Sequence, residues 1–209
     1  MLQSVNTTIY GGCLNSNAAP VAFPFNPASP FLRGSQYKIG SRSTHHIDVD
    51  RSDRIVNSSD PLGWQNVRLV KLETATEAVS VAASANHSVI VNLSGALQID
   101  ASFSKRNFVG SVNCGDAAIL PAGTSWSYRN HDEETGDILL LTVRPLLVRN
   151  IAQQFQLSHT DLTFTPEIGV TNQHVLHIAL SLHDELLEAN LLGRVYADSL
   201  AVCLIVQLI

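Results

Sequence analysis

Charge is scarce in this chain. Asp, Glu, Lys and Arg together make up 15% of its 209 residues, against 45% hydrophobic residues. That balance excludes a disordered or low-complexity protein, because there is apolar surface enough to offset the entropy of ordering. The length allows one large domain or two small ones. Basic residues are the scarcer sign, 13 against 18 acidic, for a net charge of −5. Phosphate contacts need clustered Lys and Arg, so the chain alone is not expected to bind DNA. Cysteine is rare too: Cys13, Cys114 and Cys203 are odd in number and far apart. They suggest neither a metal quartet nor a disulfide framework and suit a reducing compartment. No apolar stretch reaches the ~18 residues of a membrane span; the nearest is Leu200–Ile209. Met1-Leu-Gln-Ser-Val-Asn has neither a basic start nor an apolar run, so no secretory signal is read there and a cytoplasmic location is expected.

What is present falls into three zones, 1–60, 61–145 and 146–209. In the first, Pro20, Pro24, Pro27 and Pro30 alternate with Phe23, Phe25 and Phe31. Proline removes backbone donors, so this zone reads as an irregular arm whose phenylalanines lie against a surface. In the second, short segments alternate with period two between glycine turns. They run from Val67, Leu69 and Leu72 through Val89 and Val91, Leu97 and Ile99, Trp126 and Tyr128, to Ile138–Val143. Eight or so such strands predict an antiparallel sandwich or barrel of the jelly-roll kind. After Pro145 the period becomes helical. Leu146, Leu147, Ile151 and Phe155 form one stripe, Leu162–Phe164 an extended piece, and His174–Ala189 and Val195–Ile209 a helical hairpin. The expected fold class is mainly β with C-terminal α, a jelly-roll barrel followed by that hairpin.

One motif sharpens the barrel. Gly115-Asp-Ala-Ala-Ile-Leu-Pro121-Ala-Gly123-Thr-Ser-Trp126-Ser-Tyr-Arg-Asn130 is similar to the second cupin motif, in which glycine and Pro-x-Gly turns bracket a strand. The metal histidine of that motif is Trp126 here. Upstream, His87 stands without a His-x-His partner or a nearby carboxylate. A lone histidine cannot build a site that needs three protein ligands. No metal and no other cofactor is expected, and with no Gly-x-Ser-x-Gly, phosphate loop or Cys-x-x-Cys in the sequence, no enzyme is expected either.

Three stretches resemble the N-terminal half of the AraC/XylS transcription regulators over residues 60–209. They are Asp60-Pro-Leu-Gly-Trp64-Gln-Asn-Val, the Gly115–Gly123 segment, and His177-Ile-Ala-Leu-Ser-Leu-His-Asp-Glu-Leu-Leu-Glu followed by Gly193-Arg-Val-Tyr196-Ala-Asp-Ser-Leu200. The resemblance implies an effector-sensing and dimerisation domain. A small molecule would sit in a metal-free barrel, and DNA would be read only by a helix-turn-helix part that should begin near Ile209 and is missing. The candidate ligand-binding residues are Arg68, His87, Trp126, Tyr128 and Asn130. Trp126 and Tyr128 share a strand face, and Trp126 holds the place of an interior metal ligand. A homodimer is expected through the C-terminal helices, with Leu176, Leu180, Leu187, Tyr196, Leu200, Leu204 and Leu208 as candidate contacts. This rests on the free end Leu200-Ala-Val-Cys-Leu-Ile-Val-Gln-Leu-Ile209, because each large aliphatic side chain left wet forgoes about 1.5–3 kcal/mol. The alternatives are a stand-alone cupin-like binding protein and a cupin enzyme.

Overall fold

The run Ile138-Leu-Leu-Leu-Thr-Val143 shows no alternation of apolar and polar residues because every one of its side chains is buried. Its strand is covered on both faces, which removes any need for a polar side. A computed structural model describes residues 54–74, 78–103, 106–131, 135–157, 164–189 and 192–209. The phenylalanine- and proline-rich arm, Cys13 and Leu162 lie outside these residues.

The strands are β1 (Arg54–Ser58), β2 (Val67–Glu73), β3 (Val79–Val81), β4 (His87–Asn92), β5 (Leu97–Phe103), β6 (Arg106–Val112), β7 (Asp116–Leu120), β8 (Trp126–Asn130), β9 (Asp137–Val143) and β10 (Glu167–Thr171). The helices are α1 (Pro145–Gln154), α2 (Gln173–Glu188) and α3 (Gly193–Leu208). One sheet has the order β1-β2-β9-β4-β7-β10 and the other β3-β8-β5-β6. From β2 to β9 the chain changes sheet at every connection except β5 to β6. That connectivity is a jelly roll. The fold class expected from the sequence is the one observed.

Period two then assigns the layers. On the larger sheet Val67, Leu69, Val89, Val91, Leu139, Leu141 and Val143 point outward to the helices. There they pack on Val148 and Ile151 of α1, Val175, Ala179 and Leu182 of α2, and Ala197, Ala201, Leu204 and Ile205 of α3. Their neighbours Val70, Leu72, Ile90, Ile138 and Leu140 turn to the interior. Opposite them, the smaller sheet supplies Val79, Val81, Ala101, Trp126 and Tyr128. The molecule is therefore three layers: small sheet, large sheet, helices.

Local chemistry starts the helices. Pro145 stands at the first turn of α1, where its missing N–H is no loss. Asn172 caps α2, its side-chain oxygen accepting from the backbone N–H of His174 at 3.0 Å and of Val175 at 3.2 Å.

Several expectations are corrected. The arm read as irregular to residue 60 already contains β1 and a 3-10 turn at Asp60–Leu62. An unread strand, β10, follows Pro166 and pairs with β7. The apolar stripe of α1 is Leu147, Val148, Ile151 and Ala152, while Leu146 and Phe155 are exposed. Cys114 is disulfide-bonded, and Cys203 is free and exposed. A bridged Cys114 departs from the reading of these cysteines as suited to a reducing compartment.

Candidate functional site

Two small cavities lie between the sheets, of about 30 and 60 Å³, each with space for a few waters. The first opens at the β3–β4 and β7–β8 loops. Leu72, Ile90, Leu120, Ile138 and Leu140 line it, with Ser84, Asn86, Ser88 and Thr124 as its polar groups. The second lies among Ile99, Ala101, Val112, Tyr128 and Ile168. Trp126 borders both. Its indole stacks on Tyr128, ring centroids 5.1 Å apart and 14° from parallel. The structure thus brings Trp126 and Tyr128 together on the interior face, and Trp126 borders both voids together with Ile90 and Ile138.

The turns of the Gly115–Asn130 motif position this site. Gly115 and Gly123 have φ of 86° and 83°, a left-handed conformation that glycine adopts without a steric penalty. In the Pro121-Ala-Gly123 turn, the Gly123 N–H donates to the Ser84 carbonyl at 2.7 Å. The Ala122 N–H donates to Nδ1 of His87 at 3.1 Å.

His87 is therefore a turn anchor, on the other face of its strand from the cavity. Its neighbour Ser88 takes the inward position, and the imidazole packs edge-on against Phe164, outside the barrel, at 4.8 Å. Burial pushes its pKa below the usual 6.5. Asn130 is buried at the far end of β8 and lines neither inter-sheet cavity. Arg68 points inward from β2 but lines a different pocket, with Asp60, Trp64 and Arg144. Sequence reasoning missed Ser88, Asn86 and Thr124 at the cavity. Ser88 alone carried a signal, since it shares strand parity with Ile90.

The candidate dimer residues divide by exposure. Leu176 and Leu204 are spent in the chain's own core, and Leu180, Leu200 and Leu208 pack partly against it. Leu187 and Tyr196 are exposed, together with Leu192, Val195, Val202, Val206 and Ile209. One face of α3 fills the core, and the opposite face carries an apolar stripe at helical spacing.

The cavity lining contains no imidazole, thiol or carboxylate, so its residues do not fit a metal ion. Among the described residues no group of three or more His, Cys, Asp or Glu is placed to hold one. Nor is any helix there long and apolar enough to cross a membrane.

No family model and no curated protein matches the chain. Solved structures do. Vicilin from Corylus avellana (hazelnut) is 21% identical over 50% of this chain and 32% of its own, with a TM-score of 0.35. Oxalate decarboxylase from Lactobacillus farciminis is 18% identical over 60% and 42%, with a TM-score of 0.36. Streptomyces albus HEPD, with 2-hydroxyethylphosphonate and Fe(II) bound, is 14% identical over 51% and 24%, with a TM-score of 0.37. The chain spans less than half the length of these three proteins. The likeness is one of cupin-type fold. It also corrects the expectation that this chain is no enzyme, because enzymes stand among the structures it is similar to.

Proposed function

We propose that this jelly roll binds a small molecule between its sheets, and that it is the effector-sensing and dimerisation part of an AraC-type transcription regulator. The cavity beside Trp126 carries the reading. Its lining is aliphatic and aromatic with a few neutral hydroxyl and amide groups, the usual make-up of a small-molecule pocket. Such pockets commonly hold about 300–1,000 Å³, far more than the two voids together, so a ligand must spread the sheets as well as displace side chains such as Trp126. The wall of that cavity is also the platform of the helices. Leu140 faces the void, while Leu139 and Leu141 face the helical layer. A ligand that spreads the sheets therefore acts directly on the seat of α2 and α3.

The exposed stripe of Val195, Val202 and Val206 supports a second copy as partner, and the helical hairpin supports the regulator assignment. A cytoplasmic location comes with that assignment, and the bridged Cys114 is the observation that weighs against it.

Trp126 fluorescence in a Trp64→Phe background, titrated with small neutral aromatic and aliphatic compounds, tests the binding step. A saturable change with a raised melting temperature supports it; no response across the panel overturns it. Sequencing the native gene past the codon for Ile209 tests the regulator step. A frame that continues into two helix-turn-helix patterns supports it. A stop codon there leaves a stand-alone binding protein.

A further inference from the structure

Beside the start of β2 and the end of β9 lies another pocket, of about 390 Å³, with Trp64, Asn66, Arg68, Thr142 and Arg144 in its lining. Asp60 grips one edge of the Arg68 guanidinium, accepting from Nε at 2.7 Å and from Nη2 at 2.9 Å. The remaining nitrogen, Nη1, is buried and has no hydrogen-bond partner. Directly across the ladder from Arg68 stands Thr142, which is 3% exposed. Its hydroxyl Oγ1 is also without a partner.

A buried polar group left unpaired costs about 1–3 kcal/mol, and more when it is charged. Here two of them sit on facing residues of one ladder and line one pocket. The fold gains nothing from that arrangement, since a valine at 142 would fill the same space without the penalty. Both groups can donate, and Arg144 stands in the same lining. The free edge of a guanidinium, next to a hydroxyl, is matched to an oxygen that carries negative charge.

We propose that this pocket is an oxyanion subsite. The carboxylate of a small organic acid would accept from Arg68 Nη1 and Thr142 Oγ1, with Arg144 at its rim. Thr142 also pairs across the sheet with Ser88, and Ser88 lines the inter-sheet cavity. The subsite therefore borders that cavity's polar end. It stands apart from the regulator reading, because an acid seated here serves as effector or as substrate alike.

Calorimetric titration of the whole chain with benzoate and with its neutral analogue benzamide tests the proposal. Benzoate is expected to bind about tenfold tighter than benzamide. Thr142→Val should weaken benzoate several-fold, leave benzamide unchanged and raise the melting temperature of the unliganded protein. Thr142→Ser, which keeps the hydroxyl, should retain benzoate affinity. Arg68→Met should abolish the preference for the acid, but it also strips Asp60 of its partner, so the Thr142 pair gives the cleaner reading. Equal affinity for acid and amide would overturn the proposal. So would equal loss in the valine and serine variants, or no benzoate binding at all.

Discussion

A side chain at Gly193 would collide with Glu185. Gly193 opens α3, and a Cβ built there falls within the carboxylate of Glu185 on α2, a residue that is itself 7% exposed. The absence of one methyl group at Gly193 therefore lets the helical hairpin close over a buried acid. Gly193→Ala is expected to destabilise the protein by about 1–3 kcal/mol, although alanine is the better helix former. Urea unfolding measures it, and Glu185→Ala in the same chain should recover most of the loss. An unchanged midpoint in the single variant would show that Glu185 yields freely.

Acid should weaken the fold in a defined window. Burial pushes the pKa of His87 below 6.5, and burial with the nearby Lys71 does the same for His183, against an opposing pull from Asp137. A histidine depressed in the folded state takes up its proton first in the unfolded chain. Its contribution is therefore intact above about 6.5 and is lost as pH falls from there towards the folded value. His87→Asn keeps an acceptor for the Ala122 N–H and does not titrate. Melting temperatures between pH 8 and pH 5 should fall less steeply for that variant, and a parallel profile would place the sensitivity elsewhere.

Removing the Trp126 indole should enlarge the space between the sheets. Trp126→Ala is expected to cost about 2–4 kcal/mol, below the range for a fully buried tryptophan, because Trp126 is half-buried. The enlarged cavity should take up indole. Indole is expected to raise the melting temperature of that variant and to leave Trp64→Ala unchanged. A rise in both, or in neither, would deny that Trp126 fills the inter-sheet space.

The helix faces predict two different failures. Val202→Glu with Val206→Glu should yield a folded monomer by light scattering with an unchanged circular dichroism spectrum. Leu204→Glu should lose the folded signal itself, since Leu204 is fully buried. A dimer that survives the two valine changes would move the interface off α3.

Elements rich in apolar residues were legible in the sequence. The apolar content of β2 and β4 and the uniform run of β9 mark strands buried on both faces, and the shared face of Trp126 and Tyr128 follows from strand parity. β10 was not legible, because Gly169 takes a φ of 75° and the pairing shifts register between Ile168 and Val170. A bulge breaks period two at the centre of a five-residue strand. The placement of His87 turned on a single position of parity, which moved it from the cavity to the outer face. The row Arg68–Thr142–Ser88 was hidden for another reason. Its members belong to strands far apart in sequence, and only the register of β2, β9 and β4 makes them neighbours.

The double coverage of β9 also bears on how such a sequence can drift. Leu139 and Leu140 are adjacent, yet one answers to the helices and the other to the barrel. Volume changes at each must be absorbed by a different set of partners. Among diverged relatives, position 139 should therefore covary with α2 and α3, and position 140 with the residues around Trp126. Consecutive letters on one strand would keep two separate histories.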